Sequence, residues 1–187
     1  MQIIIDVPDG VSGDWCVETF EVRDNELSQK ISLWKTGRYV PSGTYKRLMH
    51  HGTVVMSNTP DEIRDLSFFI IRAKGNILIN GLGLGVMLKA LLDKPEVISI
   101  TVIEISSDVI NLVAPTYIGD KRLTIINADA FEWKPPKCMI YDYVWHDIWD
   151  YLCKDNLIQM AKLHRKYGKK AKYQDSWGKA FCKHIKD

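Results

Sequence analysis

The chain has 187 residues, of which 46% are hydrophobic and 26% charged, with Lys+Arg 25 against Asp+Glu 23. That length suits one domain with at most a small appendage, and the apolar share is enough for a full core, which excludes global disorder and a large multidomain enzyme. No apolar run reaches the roughly 18–20 residues that span a bilayer, and Met1–Gly10 has no basic segment ahead of its apolar stretch; the expectation is a cytoplasmic protein with no membrane association.

In chain order, Trp15–Arg23, Ile31–Trp34 and Thr53–Met56 are short segments with β-branched and aromatic residues. Asp24-Asn25, Gly37 and Pro41-Ser42-Gly43 separate them as turn formers, and together they predict a small antiparallel β region. Asn58 or Thr59 can cap a helix that has Pro60 in its first turn, acids near its start, and Ile63, Leu66 and Ile70 on one face, running to Arg72. Its charges Asp61, Glu62, Arg64 and Asp65 either border a pocket or are simply solvated, as amphipathic helix charges usually are.

From Asn76 the pattern repeats by whole elements. Asn76–Asn80, Val97–Glu104, Leu123–Asn127 and Ile140–His146 read as strands, with helices at Val86–Asp93 and Asp108–Ala114 in the first two gaps. Alternating strand and helix predicts a doubly wound, mostly parallel α/β sheet of Rossmann-like type. After Asp150 come a helix from about Asp155 to Tyr167, a break at Gly168-Lys169-Lys170, and an aromatic segment Tyr173–Phe181. The expected division is residues 1–57 as a small β-rich region and residues 58–187 as the Rossmann-like unit. Only 37 residues follow Asp150, so the sheet is expected to stop at a fifth strand near Ala171–Gln174. Tyr173–Trp177 is read either as a lid completing a pocket or, preferably, as part of a helix covering the core.

Cys16, Cys138, Cys153 and Cys182 lie far apart with no C-x-x-C pair, and no two of the five histidines stand four apart. Neither a metal site nor a disulfide framework is expected. Residues Lys162–Asp187 carry a local charge of +7 and leave the first 161 residues at −5. Such a basic end either attracts phosphates, nucleic acid or an acidic surface, or is a solvated helical face.

The chemistry concentrates at strand ends. Ile77-Leu78-Ile79-Asn80-Gly81-Leu82-Gly83-Leu84-Gly85 is a buried strand running into three alternating glycines and then a helix, where backbone can approach a nucleotide-like ligand without Cβ obstruction. A dinucleotide fingerprint would place Gly or Ala three residues after Gly83, but Val86 stands there. The G-x-G-x-G form resembles motif I of class I S-adenosylmethionine-dependent methyltransferases. Glu104 ends the next strand, 23 residues after Gly81, where an acid can accept two ribose hydroxyls; Ile105 follows it, and Ser106-Ser107-Asp108 supplies a helix N-cap. Asn127-Ala128-Asp129-Ala130 closes the third strand and looks like the methyltransferase loop whose acid meets the adenine amino group; otherwise Asp129 caps Ala130–Trp133.

The fourth strand and its exit, Tyr141-Asp142-Tyr143-Val144-Trp145-His146-Asp147-Ile148-Trp149-Asp150, resemble spermidine synthases. The resemblance places Asp147 at the catalytic aspartate of those aminopropyltransferases and Asp150 at an amine-binding acid, with Trp145 or Trp149 available to stack on adenine or face a sulfonium. The pattern departs from theirs at the glycine turn, where no acid follows the glycines. The resemblance therefore implies an S-adenosylmethionine-dependent methyltransferase of unspecified acceptor. Asn80, Gly81, Gly83, Gly85, Glu104, Ile105, Asp129, Ala130 and Asp147 would hold the cofactor, Asp147 would be catalytic, and Trp149 and Asp150 would bind substrate. An aminopropyltransferase and a noncatalytic nucleotide-binding module stand as alternatives. Candidate partners are a small or macromolecular methyl acceptor, nucleic acid through the basic end as the less favoured class, and a second copy in a homodimer.

Overall fold

The computed structural model describes residues 2–23, 31, 34 and 39–185. Among these residues, nine strands form two sheets. β1 (Gly10–Ser12), β2 (Trp15–Val22), β3 (Gly43–His50) and β4 (Thr53–Ser57) make an antiparallel meander in sequence order. A register shift between Leu48 and Met49 turns the end of β3 against β4, as a bulge does. The expected segments at Trp15–Arg23 and Thr53–Met56 are present as β2 and β4. Ile31–Trp34 is not: Ser32 and Leu33 lie outside the described residues, and Ile31 and Trp34 are exposed and not in a strand. The turns expected at Asp24-Asn25 and Gly37 also lie outside the described residues.

α1 (Pro60–Arg72) follows, starting at Pro60 as predicted, with Ile63, Leu66, Phe69 and Ile70 buried. Its cap differs from the expectation. Thr59 occupies the cap position without a side-chain cap bond, because its hydroxyl accepts from Ser57 and Asn58 Oδ1 accepts from the Lys46 N–H instead. Glu62 reaches back to the Ser57 N–H at 2.5 Å, so the helix start is tied to the end of β4.

The second sheet contains β5 (Gly75–Asn80), β6 (Val97–Glu104), β7 (Leu123–Asn127), β8 (Tyr141–His146) and β9 (Ala171–Ser176) in the order β7-β6-β5-β8-β9, every neighbouring pair parallel. α2 (Val86–Leu92), α3 (Ser107–Val113), α4 (Asn156–Tyr167) and α5 (Lys179–Cys182) are helices among the described residues that follow, with a 3₁₀ turn at Ala114–Thr116. This is the α/β, Rossmann-like architecture with a small antiparallel sheet before it. Ser106 caps α3, its hydroxyl accepting the Val109 N–H. The Tyr173–Phe181 segment corrects the preferred helical reading: it is mainly an edge strand, β9, followed by the short α5. Polar β9 residues find partners on β8 and α4, with Gln174 bonding His146 and Ser176 bonding His164, and that satisfies a strand there better than an amphipathic helix.

Successive side chains of a strand face opposite ways. Ile77 and Ile79 join a core with α1, α2 and α3 that also holds Ile3, Ile5 and Val7 of the N-terminal segment and Val17 and Leu48 of the antiparallel sheet. Leu78, Ile103 and Val144 pack on the other side with Met160, Leu163 and Tyr167 of α4. Strand order reverses beside β5, so the carboxyl ends of β5, β6 and β8 diverge at a crevice, the ligand position of open α/β sheets. Among the described residues no helix is long and apolar enough to cross a membrane.

Candidate active site

A cavity of about 320 Å³ lies at those strand ends, within the size range of small-molecule sites. Its floor is the glycine turn. Gly81 has φ +97, and a Cβ there would lie 1.8 Å from the Asp147 carbonyl oxygen. The Gly81 N–H donates to Ile103 O, and the Asp147 N–H to Asn80 O, each at 2.8 Å. Three strand ends are therefore joined around a residue that must be glycine. Gly83 has φ +51, and its missing Cβ leaves room for Met56 Sδ of β4, which accepts the Leu84 N–H at 3.3 Å. Gly85 begins α2 and faces Tyr117; it is not on the cavity wall.

Glu104 points at this turn. Its Oε2 accepts the Leu82 N–H at 2.7 Å and its Oε1 accepts the Ser106 N–H at 2.8 Å. Burial pushes its carboxyl above the ordinary range, while these backbone donors pull it back. Each oxygen retains a further lone pair, and the residue lines the cavity beside Ile105. Asn127 fixes this corner by donating to the carbonyls of Glu104 and Ile105.

Asp129 and Ala130 form the next stretch of wall. Asp129 Oδ1 accepts the Phe131 N–H at 2.7 Å, so the residue that caps the turn is also one that lines the cavity.

At the end of β8, Asp147 faces the cavity with Glu62 of α1. Burial, reinforced by the Glu62 and Glu104 carboxylates, pushes the Asp147 carboxyl up to about 7. Trp149 also lines the wall, its indole N–H donating to Gln159 of α4 at 2.6 Å. Asp150 stands at the exposed rim, 3.2 Å from His50 Nδ1, and the His50 ring stacks on Trp15 with centroids 4.1 Å apart.

The structure thus gathers Gly81, Gly83, Glu104, Ile105, Asp129, Ala130, Asp147, Trp149 and Asp150 around one cavity. Asn80 is placed elsewhere: it is fully buried behind the turn, with Nδ2 2.8 Å from His146 Nδ1. His146 is likewise buried, held neutral with its pKa down to about 3 by desolvation. Trp145 packs on Phe69 of α1. Trp15, Met56, Phe131 and Gln159, which also line the wall, are not marked in the sequence, whereas Trp177 lies there as the pocket-completing reading of Tyr173–Trp177 expects. No local motif marks those four, since each arrives from a different element.

The wall has a consistent chemistry. Glu62, Glu104, Asp129, Asp147 and Asp150 line it with Trp15, Phe131, Trp149 and Trp177, and among the described residues no Lys, Arg or His does. Such a surface favours a cation next to aromatic faces and opposes a pyrophosphate.

No protein family model matches the chain, and no curated protein matches it. Solved structures do resemble it. Spermidine synthase from Thermotoga maritima aligns over 91% of this chain and 53% of its own, at 17% identity and TM-score 0.51. The N-methyltransferase NodS from Bradyrhizobium japonicum, in complex with S-adenosyl-L-homocysteine, aligns over 60% of this chain and 57% of its own at 17% identity and TM-score 0.46. The CcbJ methyltransferase from Streptomyces caelestis aligns over 60% of this chain and 46% of its own at 14% identity and TM-score 0.47. The chain spans about half the length of each of these proteins. Of the three, the likeness to spermidine synthase extends across both sheets, and it is a likeness of fold.

Proposed function

We propose that this chain binds S-adenosylmethionine in the cavity and catalyses methyl transfer to a nucleophile, the acceptor being a cationic amine. The observation that carries this reading is the wall itself: carboxylates and aromatic rings, with no basic side chain among the described residues, beside the glycine turn. The residues fit the group. Glu104 supplies charged acceptors for ribose hydroxyls, Asp129 and the Ala130 N–H suit the adenine edge, and the acidic wall is matched to a sulfonium. When bound, S-adenosylmethionine supplies a methyl group activated by the positive sulfur. Within the chain, Trp149 and Trp15 exclude water and present aromatic faces to cations, while Asp150 attracts an amine at the rim. Asp147, with its carboxyl near neutrality, holds or accepts the proton that an amine must lose before it can act as a nucleophile.

A second reading, aminopropyl transfer from decarboxylated S-adenosylmethionine, is favoured because among the described residues no cation stands on the wall to receive a ligand carboxylate. Calorimetry with S-adenosylhomocysteine, decarboxylated S-adenosylmethionine and NAD tests both. The methyltransferase reading expects S-adenosylhomocysteine to bind and Glu104→Ala to weaken it about tenfold or more. Preference for the decarboxylated compound selects the second reading, and binding of NAD alone refutes both.

A further inference from the structure

We propose that the C-terminal turn of α4, through Tyr167 and Lys166, is the positioning device that sets base selectivity in the cavity. The inference rests on the adenosyl-binding reading above. Tyr167 is fully buried, and its hydroxyl donates to the Ala130 carbonyl at 2.7 Å. The adjacent Lys166 donates from Nζ to the Phe131 carbonyl. One helix end therefore takes up two consecutive carbonyls of the loop that follows β7.

The consequence lies in which groups remain. Asp129 Oδ1 is used by the Phe131 N–H, which leaves the second carboxylate oxygen. The Ala130 N–H has no hydrogen-bond partner among the described residues. Both residues line the cavity. With the Ala130 carbonyl fastened to Tyr167, the loop offers an acceptor next to a donor. Adenine presents the complement, an amino donor beside a ring-nitrogen acceptor; a 6-oxopurine presents an acceptor beside a donor and is mismatched at both points. The Asp129–Ala130 peptide, which carries the donor, is held through the Asp129 carbonyl by the Glu132 and Trp133 N–H groups. Release of the Ala130 carbonyl would instead let the Ala130–Phe131 peptide rotate, withdraw the Phe131 N–H from Asp129 Oδ1 and free that carboxylate to turn, so the acceptor would lose its fixed place and the distinction would blur. An unpaired polar group buried on binding is costly enough to discriminate strongly.

The test compares calorimetric affinities for S-adenosylhomocysteine and S-inosylhomocysteine, its 6-oxo analogue, in the native chain, Tyr167→Phe and Lys166→Met, with thermal unfolding of each. The native chain is expected to prefer the adenine compound by about tenfold or more, and Tyr167→Phe to reduce that ratio at least about threefold by losing adenine affinity. Lys166→Met is expected to move the ratio in the same direction by less, and it decides the matter if Tyr167→Phe does not fold. A ratio unchanged in the folded variants, even with lowered unfolding temperature, would make these bonds core fastenings alone and overturn the proposal. Equal native affinity for both compounds would overturn it while leaving adenosyl binding intact. Failure of the native chain to bind either would instead refute the reading on which it rests.

Discussion

Asp147 is a residue of the cavity wall whose environment changes its chemistry. Its carboxyl rises from an ordinary 3.8 to about 7 because burial and the nearby Glu62 and Glu104 carboxylates disfavour ionisation. Between those two values the folded protein keeps a proton that the unfolded chain releases, so this group lowers stability progressively as pH rises through that window. Asp147→Asn is therefore expected to unfold at a higher temperature than the native chain at pH 8 and at nearly the same temperature at pH 4, measured by calorimetric scans. Equal shifts at both pH values would show that the carboxyl is not held protonated. Cation binding has the opposite sense: it should strengthen as pH rises through about 7, where Asp147 becomes an anion.

Glu104 is legible in the sequence because it ends a largely apolar strand 23 residues after Gly81, and Asp147 because the resemblance to spermidine synthases marks its position. Trp15 and Met56 are not, because their contribution depends on how a second sheet docks, and no local spacing encodes that. Asn80 is instructive for the opposite reason: it borders the glycine turn in sequence, yet alternation along β5 turns its side chain to His146.

At the scale of elements, the join between β5 and β8 is the most constrained feature. A Cβ at Gly81 would collide with backbone, which cannot move aside as a flexible side chain can, and φ is unfavourable as well. Gly81→Ala should cost on the order of 3 kcal/mol in denaturant unfolding. Gly119→Ala, where a Cβ meets nothing within 4 Å, should change stability by no more than about 0.5 kcal/mol. Comparable losses at the two sites would contradict this account of the turn. The parallel strands and their helices were readable because apolar runs, glycines and N-caps recur at short range. β3 was missed since Thr44–Arg47 is polar and half-exposed, with β2 and β4 as its partners. β9 was partly misread because its side-chain partners lie on β8 and α4, far away in sequence.

Across the whole molecule, charge is sorted more finely than the sequence asymmetry indicates. The acids of the cavity wall, Glu62, Glu104, Asp129, Asp147 and Asp150, all precede the basic end. Several lysines of the basic end are engaged by the chain's own groups: Lys166 by Phe131 O, and on the surface Lys170 by the carbonyls of Pro136 and Lys137 and Lys172 by Asp142 at 2.7 Å. The excess of positive charge there serves, in part, to hold loop carbonyls and a strand carboxylate, which a count along the chain cannot distinguish from a phosphate-seeking surface.

Because Met56, Trp15 and Leu48 of the antiparallel sheet form part of the same wall as Gly81, Glu104 and Asp147, an occupant would behave as a rivet through two plates. Opening of β3 or β4 would then have to expel it. Amide exchange in those two strands should slow when S-adenosylhomocysteine is added, by a factor that grows with ligand concentration, whereas protection confined to the parallel sheet would mean that the plates separate without losing their rivet.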